Sequence, residues 1–306
     1  MTLTSMDYFV TLARERSFTR AAEKLHITQQ TLSAHIAALE KELDCQLLVR
    51  KVPLELTYGG TVFLRYAGEF RQKVSDLREE FCDITANQRG VLRVGVAYTR
   101  GRTIMPALIE AFQTRFPNIC IELAEDSNTA LHKNLLNGEI DLAVANFPNT
   151  LQGVRLEDFY KEEVVLLASR SLLERLYGDA LTEVRARIEG GDLSPLRTCP
   201  FLMGSEADIA TQIAHAFLRR SHLRPIVRAK SENVETLLEL CCRGLGACFS
   251  PENLARAALT PAQMEALVLF HLGEDASIQI RFGYLPHSYQ WSILSEFIQT
   301  ARKTPL

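Results

Sequence analysis

Apolar residues in the first sixty positions recur at helical spacing in three short runs. Met6, Phe9, Val10 and Ala13 predict a helix over 4–15, with Thr4 or Ser5 as its cap. Phe18, Ala21, Ala22 and Leu25 predict a second helix over 18–25, and the two alanines leave room for another helix to approach closely. Leu32, Ile36, Leu39 and Leu43 form one stripe on a third helix, which Thr28 can cap and which runs to about Glu42. Its other side carries Gln30, Ser33, Ala34 and Ala37, with Gln29 and Thr31 at the exposed first turn. Two short apolar stretches, 46–50 and 54–56, flank Arg50-Lys51-Val52-Pro53 and predict a small two-stranded wing.

The pattern then lengthens. Thr57 can cap a helix over 58–86 in which Val62, Tyr66, Phe70, Val74, Leu77, Phe81 and Ile84 recur at threes and fours. A stripe on a helix with no domain of its own needs a partner, and the same helix of a second subunit is the simplest one. Past Asn87-Gln-Arg-Gly90 the elements alternate. Strands at 91–97, 119–123 and 140–145 enclose helices at 103–116 and 129–136, an order that implies a parallel sheet with helices on its faces. A second such unit opens at Val164. It continues through a charged helical insertion at 171–189, strands at 200–203 and 226–228, helices at 207–220 and 233–243, and a short buried run at 247–249. A strand at 279–284 and a helix at 290–302 close the chain.

The predicted class is therefore α+β multidomain. A winged helix-turn-helix occupies 1–58 (the helix-turn-helix at about 18–37), a linker or dimerisation helix 59–89, and an α/β effector-binding half 90–306. That half divides into two Rossmann-like units, the second opening at Val164.

A short helix, a tight turn and a second helix with an uncharged, hydrogen-bonding start can place a helix end in a DNA major groove. Gln29 and Gln30 are suited to reading adenine edges. Thr28, Thr31 and Ser33 suit phosphates near a helix N-terminus, and Arg50 and Lys51 suit phosphates or the minor groove. His35 lies beside the apolar stripe and is expected to pack. Net charge is −3, and residues 1–58 carry seven lysines and arginines against seven acids. One such module gains little from counterion release, so two or more copies are expected to act together on promoter DNA.

Ligands of open parallel sheets sit at the carboxyl ends of strands. That rule selects Tyr98-Thr99-Arg100, Ser127-Asn128, Asn146-Phe147 and Gly204-Ser205. Thr99, Arg100, Asn128, Asn146 and Ser205 are the candidate contacts for a small effector such as an organic anion. No nucleotide-binding glycine pattern, zinc-protease motif or nucleophile elbow is present, which argues against an enzyme. The seven histidines show no ligand spacing with a cysteine, so neither metal nor cofactor is expected. The seven scattered cysteines suit reduced cytosolic thiols. The start of the chain lacks a basic segment followed by an apolar run, and no stretch is long enough to span a membrane; both predict a cytoplasmic protein.

These residues resemble the LysR-type family of bacterial transcriptional regulators. The likeness is carried by Phe18-Thr-x-Ala21-Ala22-x-x-Leu25, Thr28-Gln29 through Ser33, Ile36, Leu39-Glu40, Leu43, Leu47-Leu48-x-Arg50 and Leu56-Thr57-x-x-Gly60. Leu92-Arg93-Val94-Gly95, Pro106, Phe112, Pro117, Gly138-Glu139-x-Asp141-Leu142-Ala143 and Gly244-Leu245-Gly246 extend it. The resemblance implies a homodimer or homotetramer on DNA, an effector-binding half like type 2 periplasmic binding proteins with subdomain I at about 91–161 and 269–302 and subdomain II at about 162–268, an effector held between these subdomains near Thr99, and contact with RNA polymerase. Ala34 departs from the family's longer polar or basic side chain, which raises the weight of Gln29, Gln30 and the wing. Peroxide-sensing relatives use two cysteines in the segment where this chain has Cys199 alone. The alternatives are a ligand-sequestering solute-binding protein with a helical association module, and a thiol-based redox-responsive regulator.

Overall fold

A computed structural model describes residues 1–51, 53–84, 89–206, 208–286 and 291–305; the side chains of residues 72, 75, 79 and 99 also fall outside the described set. Three helices open the chain, α1 (Leu3–Glu15), α2 (Phe18–Lys24) and α3 (Gln29–Glu42). α1 begins earlier than the apolar spacing predicts, because Thr2 is its cap and accepts the Ser5 N–H at 3.2 Å. Ser17 caps α2 and Thr28 caps α3, accepting the N–H of Arg20 at 3.4 Å and of Thr31 at 3.1 Å. Between α2 and α3 the chain reverses at His26, whose φ of 54° is left-handed. That conformation costs a non-glycine residue about 1–2 kcal/mol, and the packing of the two helices holds it.

Phe9, Leu12, Ala21, Leu32 and Ile36 are fully buried together, whereas Leu43, the last residue of the predicted stripe, stays 38% exposed. The wing is the antiparallel pair β1 (Leu48–Val49) and β2 (Glu55–Leu56), with Leu48 opposite Leu56. Thr57 then starts α4 (Tyr58–Ile84). Its hydroxyl accepts the Gly60 N–H at 2.9 Å and donates to the Gln46 carbonyl at 2.7 Å. Gly60 is required here, since a Cβ at that position would fall 2.0 Å from the Leu47 carbonyl oxygen. Phe63 meets Phe9 edge to face at 5.0 Å, so the first turns of α4 share the N-terminal core. The expected extension of this helix over 85–86 falls outside the described residues.

The regulatory half starts with β3 (Gly90–Ala97), α5 (Tyr98–Thr103), α6 (Met105–Arg115), β4 (Ile119–Asp126), α7 (Asn128–Leu136) and β5 (Leu142–Ala145). The helix expected at 103–116 is α6, and a further short helix, α5, precedes it in the segment expected as a loop, the two meeting at Ile104. β3 pairs parallel with both β4 and β5, as the alternation predicts. The sheet is nonetheless mixed: β11 (Ser277–Tyr284) inserts antiparallel between β5 and the long strand β6 (Arg155–Ser169).

β6 is three times the length read from its apolar run, because only its second half is buried. That half pairs antiparallel with β9 (Cys248–Pro251) and β10 (Leu267–His271). Around them lie α8 (Arg170–Tyr177), α9 (Leu181–Glu189), β7 (Pro200–Met203), α10 (Ile209–Arg220), β8 (Ile226–Lys230), α11 (Val234–Cys242), α12 (Glu252–Ala258) and α13 (Pro261–Glu265). α14 (Ser292–Lys303) packs Phe297 against Phe112 of α6, with ring centroids 5.2 Å apart. The chain thus crosses between two lobes twice, once inside β6 and once between β10 and β11. No helix among the described residues is long and apolar enough to cross a membrane.

Candidate functional site

The first candidate surface is the amino end of α3. Thr28, Gln29, Gln30 and Thr31 are exposed there and Ser33 is half-buried. The capping role engages the Thr28 hydroxyl, which lies 2.8 Å from that of Thr31. Gln29 accepts a long hydrogen bond from Thr19 of α2 at 3.4 Å, which biases its side chain without burying it. The helix start also presents unpaired backbone N–H groups and the positive end of its dipole, a setting that suits an anion. His35 packs edge to face on Tyr8 at 4.9 Å.

The wing is tied to this helix by a residue whose pattern gave no hint of the role. Glu40 accepts the N–H of Leu47 at 2.8 Å and of Leu48 at 3.2 Å through one oxygen, and its other oxygen lies 3.4 Å from Arg50. Lys51 pairs with Glu55 at 2.7 Å. Both basic side chains remain more than half exposed, so each keeps access to a phosphate while its charge is partly matched.

The second candidate surface is the cleft between the two lobes of the regulatory half. Arg100 of α5 is buried. It forms a two-pronged ion pair with Glu162 of β6 at 3.0 and 2.6 Å, and the two side chains are 4% and 2% exposed. Tyr160 donates to the same carboxylate at 2.7 Å, and Asn253 of α12 reaches it from the other lobe at 3.4 Å. Burial, followed by the neighbouring Glu162 charge, pushes the Tyr160 phenol strongly up, so it stays a donor. Arg100, expected as a free cation for an anionic effector, is matched within the protein. Its near neighbour Arg102 reaches across to Glu235 of α11 at 2.5 Å, and both are largely exposed.

Asn128 and Asn146 are brought together: the Asn146 N–H donates to Asn128 Oδ1 at 3.3 Å, and Asn146 Nδ2 donates to the Gln279 carbonyl at 3.1 Å. Ser205 stands on the second lobe after β7, in a turn closed by the Asp208 N–H on its carbonyl at 2.9 Å. No hydrogen bond among the described residues joins it to the two asparagines. The Thr99 side chain lies outside the described set, while its backbone belongs to α5, a helix of six residues.

Cys199 is buried, and burial pushes its thiol up to about 12. The Cys241 thiol is also raised, first by a hydrogen bond with Cys248 and then by burial. Burial thus disfavours the thiolate at both Cys199 and Cys241, the opposite of the environment that activates a cysteine.

The two surfaces lie in separate segments, each of which matches a known family model. Residues 3–61 match the model of the bacterial regulatory helix-turn-helix protein, lysR family, and residues 85–305 match the LysR substrate binding domain. The chain belongs to the LysR family of transcriptional regulators. This LysR-family chain is 27% identical over 312 residues to the uncharacterized HTH-type transcriptional regulator YcgK of Bacillus subtilis, covering 99% of the chain and 95% of that protein. It is 28% identical over 260 residues to the nitrogen assimilation regulatory protein nac of Klebsiella aerogenes, covering 84% and 80%. Its fold superposes on a full-length OxyR variant from Pseudomonas aeruginosa with a TM-score of 0.72 at 21% identity, covering 99% and 95% of the two chains. It also superposes on CbnR solved with its target DNA, with a TM-score of 0.63 at 21% identity and full coverage of both chains. The protein is a DNA-binding transcriptional regulator with an effector-binding domain.

Proposed function

We propose that this regulator reads promoter DNA through the amino end of α3 and answers to a small molecule bound between its two regulatory lobes. The observation that carries the first half is the exposed, uncharged Gln29-Gln30-Thr31 turn, projected from a fully buried helical core. Gln29 and Gln30 contact base edges; Thr28, Thr31 and Ser33 bind phosphate; Arg50 and Lys51 follow the backbone or minor groove from the wing. The working division of the chain is 1–58 for DNA, 59–89 for pairing and 90–306 for the effector.

Two copies are required because a single module with balanced charge binds DNA weakly. Along α4, Tyr66, Phe70, Leu77, Phe81 and Ile84 are each 47–69% exposed. An apolar groove of about 460 Å³ between Leu43, Tyr58, Val62, Phe63 and Phe70 continues the stripe. A second α4 covers both and sets two recognition helices on successive turns of one duplex. Pairs of dimers then bend the intervening DNA, and lobe closure changes that geometry.

In the effector cleft, Asn128, Asn146, Ser205 and Thr99 supply hydrogen bonds, and Arg100 holds α5 against β6 through Glu162. An organic anion therefore competes with Glu162 for Arg100. The chain works in the cytoplasm, contacts RNA polymerase when bound at a promoter, and performs no catalysis of its own. A gel-shift titration tests the DNA assignment. Arg50→Ala weakens binding to specific and random DNA alike and lowers the salt slope by about one, whereas Gln29→Ala loses affinity on specific DNA only. Equal losses on both DNAs for both variants would overturn it.

A further inference from the structure

Strand alternation puts Glu163 on the same face of β6 as Val165 and Leu167, beneath α11 and α12. His271, the last residue of β10, stands opposite Val165 and so shares that face. Glu252, the first residue of α12, arrives over it. His271 Nδ1 lies 2.8 Å from Glu163 Oε1 and 3.9 Å from Glu252 Oε2, and one ligand atom from each residue falls within 4.8 Å of the others. A bound Zn²⁺, with bonds of about 2.0–2.2 Å, sets tetrahedral ligands roughly 3.3–3.6 Å apart, so the His271–Glu163 pair opens and Glu252 closes in, shifts that side-chain rotation supplies. The other Glu252 oxygen is held by Arg256 at 2.6 Å, which leaves Oε2 nearer the imidazole. The imidazole is more than half exposed, so an ion can enter from solvent.

The location gives the trio a consequence. Glu163 is the last β6 residue paired with β11, and Val164 is the first paired with β9. β10 ends at His271, and the chain returns to the first lobe at Ser277. Both crossings between the lobes therefore pass through this cluster. We infer that Glu163, Glu252 and His271 form a site for a divalent transition-metal ion that fastens the two strands joining the lobes. One imidazole and two carboxylates suit Zn²⁺, Co²⁺ or Mn²⁺, and three protein ligands leave a position for water.

The test uses the full chain, stripped with chelator and titrated with Co²⁺ followed by optical absorption, then with Zn²⁺ by calorimetry. The expected result is one ion per chain, Co²⁺ displaced by Zn²⁺. Binding weakens at least about tenfold in His271→Ala and in Glu163→Gln, with melting temperatures in chelator unchanged. Arg256→Ala, which releases the second Glu252 oxygen, binds more tightly. Amide exchange over 272–277 slows when Zn²⁺ is added. Absence of binding below about millimolar metal overturns the inference. So does binding that survives both substitutions and shows the intense sulfur-to-cobalt band of an exposed cysteine such as Cys45 or Cys120, and so does exchange over 272–277 that ignores the ion. In those cases the cluster is a cross-strand ion pair only.

Discussion

The amino end of α3 and the cleft of the regulatory half treat polar side chains in opposite ways. At α3 the side chains proposed for DNA contact stand in solvent, and their internal hydrogen bonds are local: Thr28 caps its own helix and Gln29 reaches back ten residues to Thr19. In the cleft, Arg100 meets a carboxylate 62 residues away, Asn146 meets a carbonyl 133 residues away, and Asn253 reaches across 91 residues to the same Glu162. The amino end of α3 is a display held by backbone geometry. The cleft is a network that satisfies itself, so a ligand there has to exchange partners rather than simply occupy a vacancy. The difference fits the two tasks: a rigid reading head gains from preorganised exposure, and a responsive cleft gains from two arrangements of similar energy.

That contrast can be broken most forcefully at the buried ion pair. Arg100→Met leaves Glu162 buried without its cation and is expected to destabilise the regulatory half by about 3–5 kcal/mol. Pairing it with Glu162→Leu should recover most of the loss, as read by chemical denaturation. If Arg100→Met alone is nearly neutral, the cleft is not the self-satisfied network described. At the other surface, Gln29→Ala should cost about 1–3 kcal/mol of discrimination at one base pair while melting stays the same, measured by competition binding on single-base operator variants. A Gln29→Ala protein that melts early instead would mean the residue is structural.

A smaller effect is expected at the cap. Thr28→Ala removes the acceptor for the Thr31 N–H and should cost about 1 kcal/mol of stability, and Thr28→Asn should restore it. The smallest is at the rim of the cleft. Arg102→Ala breaks an exposed pair with Glu235 and should change stability by no more than about 1 kcal/mol, an effect that fades in high salt. A larger loss that resists salt would show that this pair is a desolvated strut between the lobes rather than a solvated rim contact.

Element by element, the parts that agreed with the periodicity reading are those whose apolar face is complete within one segment. α2, α3, α7, α11 and α14 are of this kind, as are the parallel strands β3 and β5. The departures have separate causes. The first half of β6 is a partly polar strand recognised only by its neighbours, and β10 is an apolar run of four residues closed by His271, too short for periodicity to assign; α5 is a six-residue helix with no apolar stripe to announce it. Thr2 outcompeted Thr4 and Ser5 as the first cap because Leu3 and the residues after it continue the helix toward the chain start.

Local chemistry along the chain was enough to determine the helix-turn-helix, its capped recognition helix, the exposed glutamines and the alternating order of the regulatory half. Each of these depends on residues within about one helical turn or one strand repeat of one another. Only the tertiary structure decided that Arg100 is already paired, that Glu40 carries the wing, that β11 turns the sheet mixed, and that Glu163, Glu252 and His271 meet where the chain crosses between lobes. Charge pairing and metal ligation act over a few ångströms of space regardless of sequence separation, and only the folded path of the backbone sets which distant residues come that near.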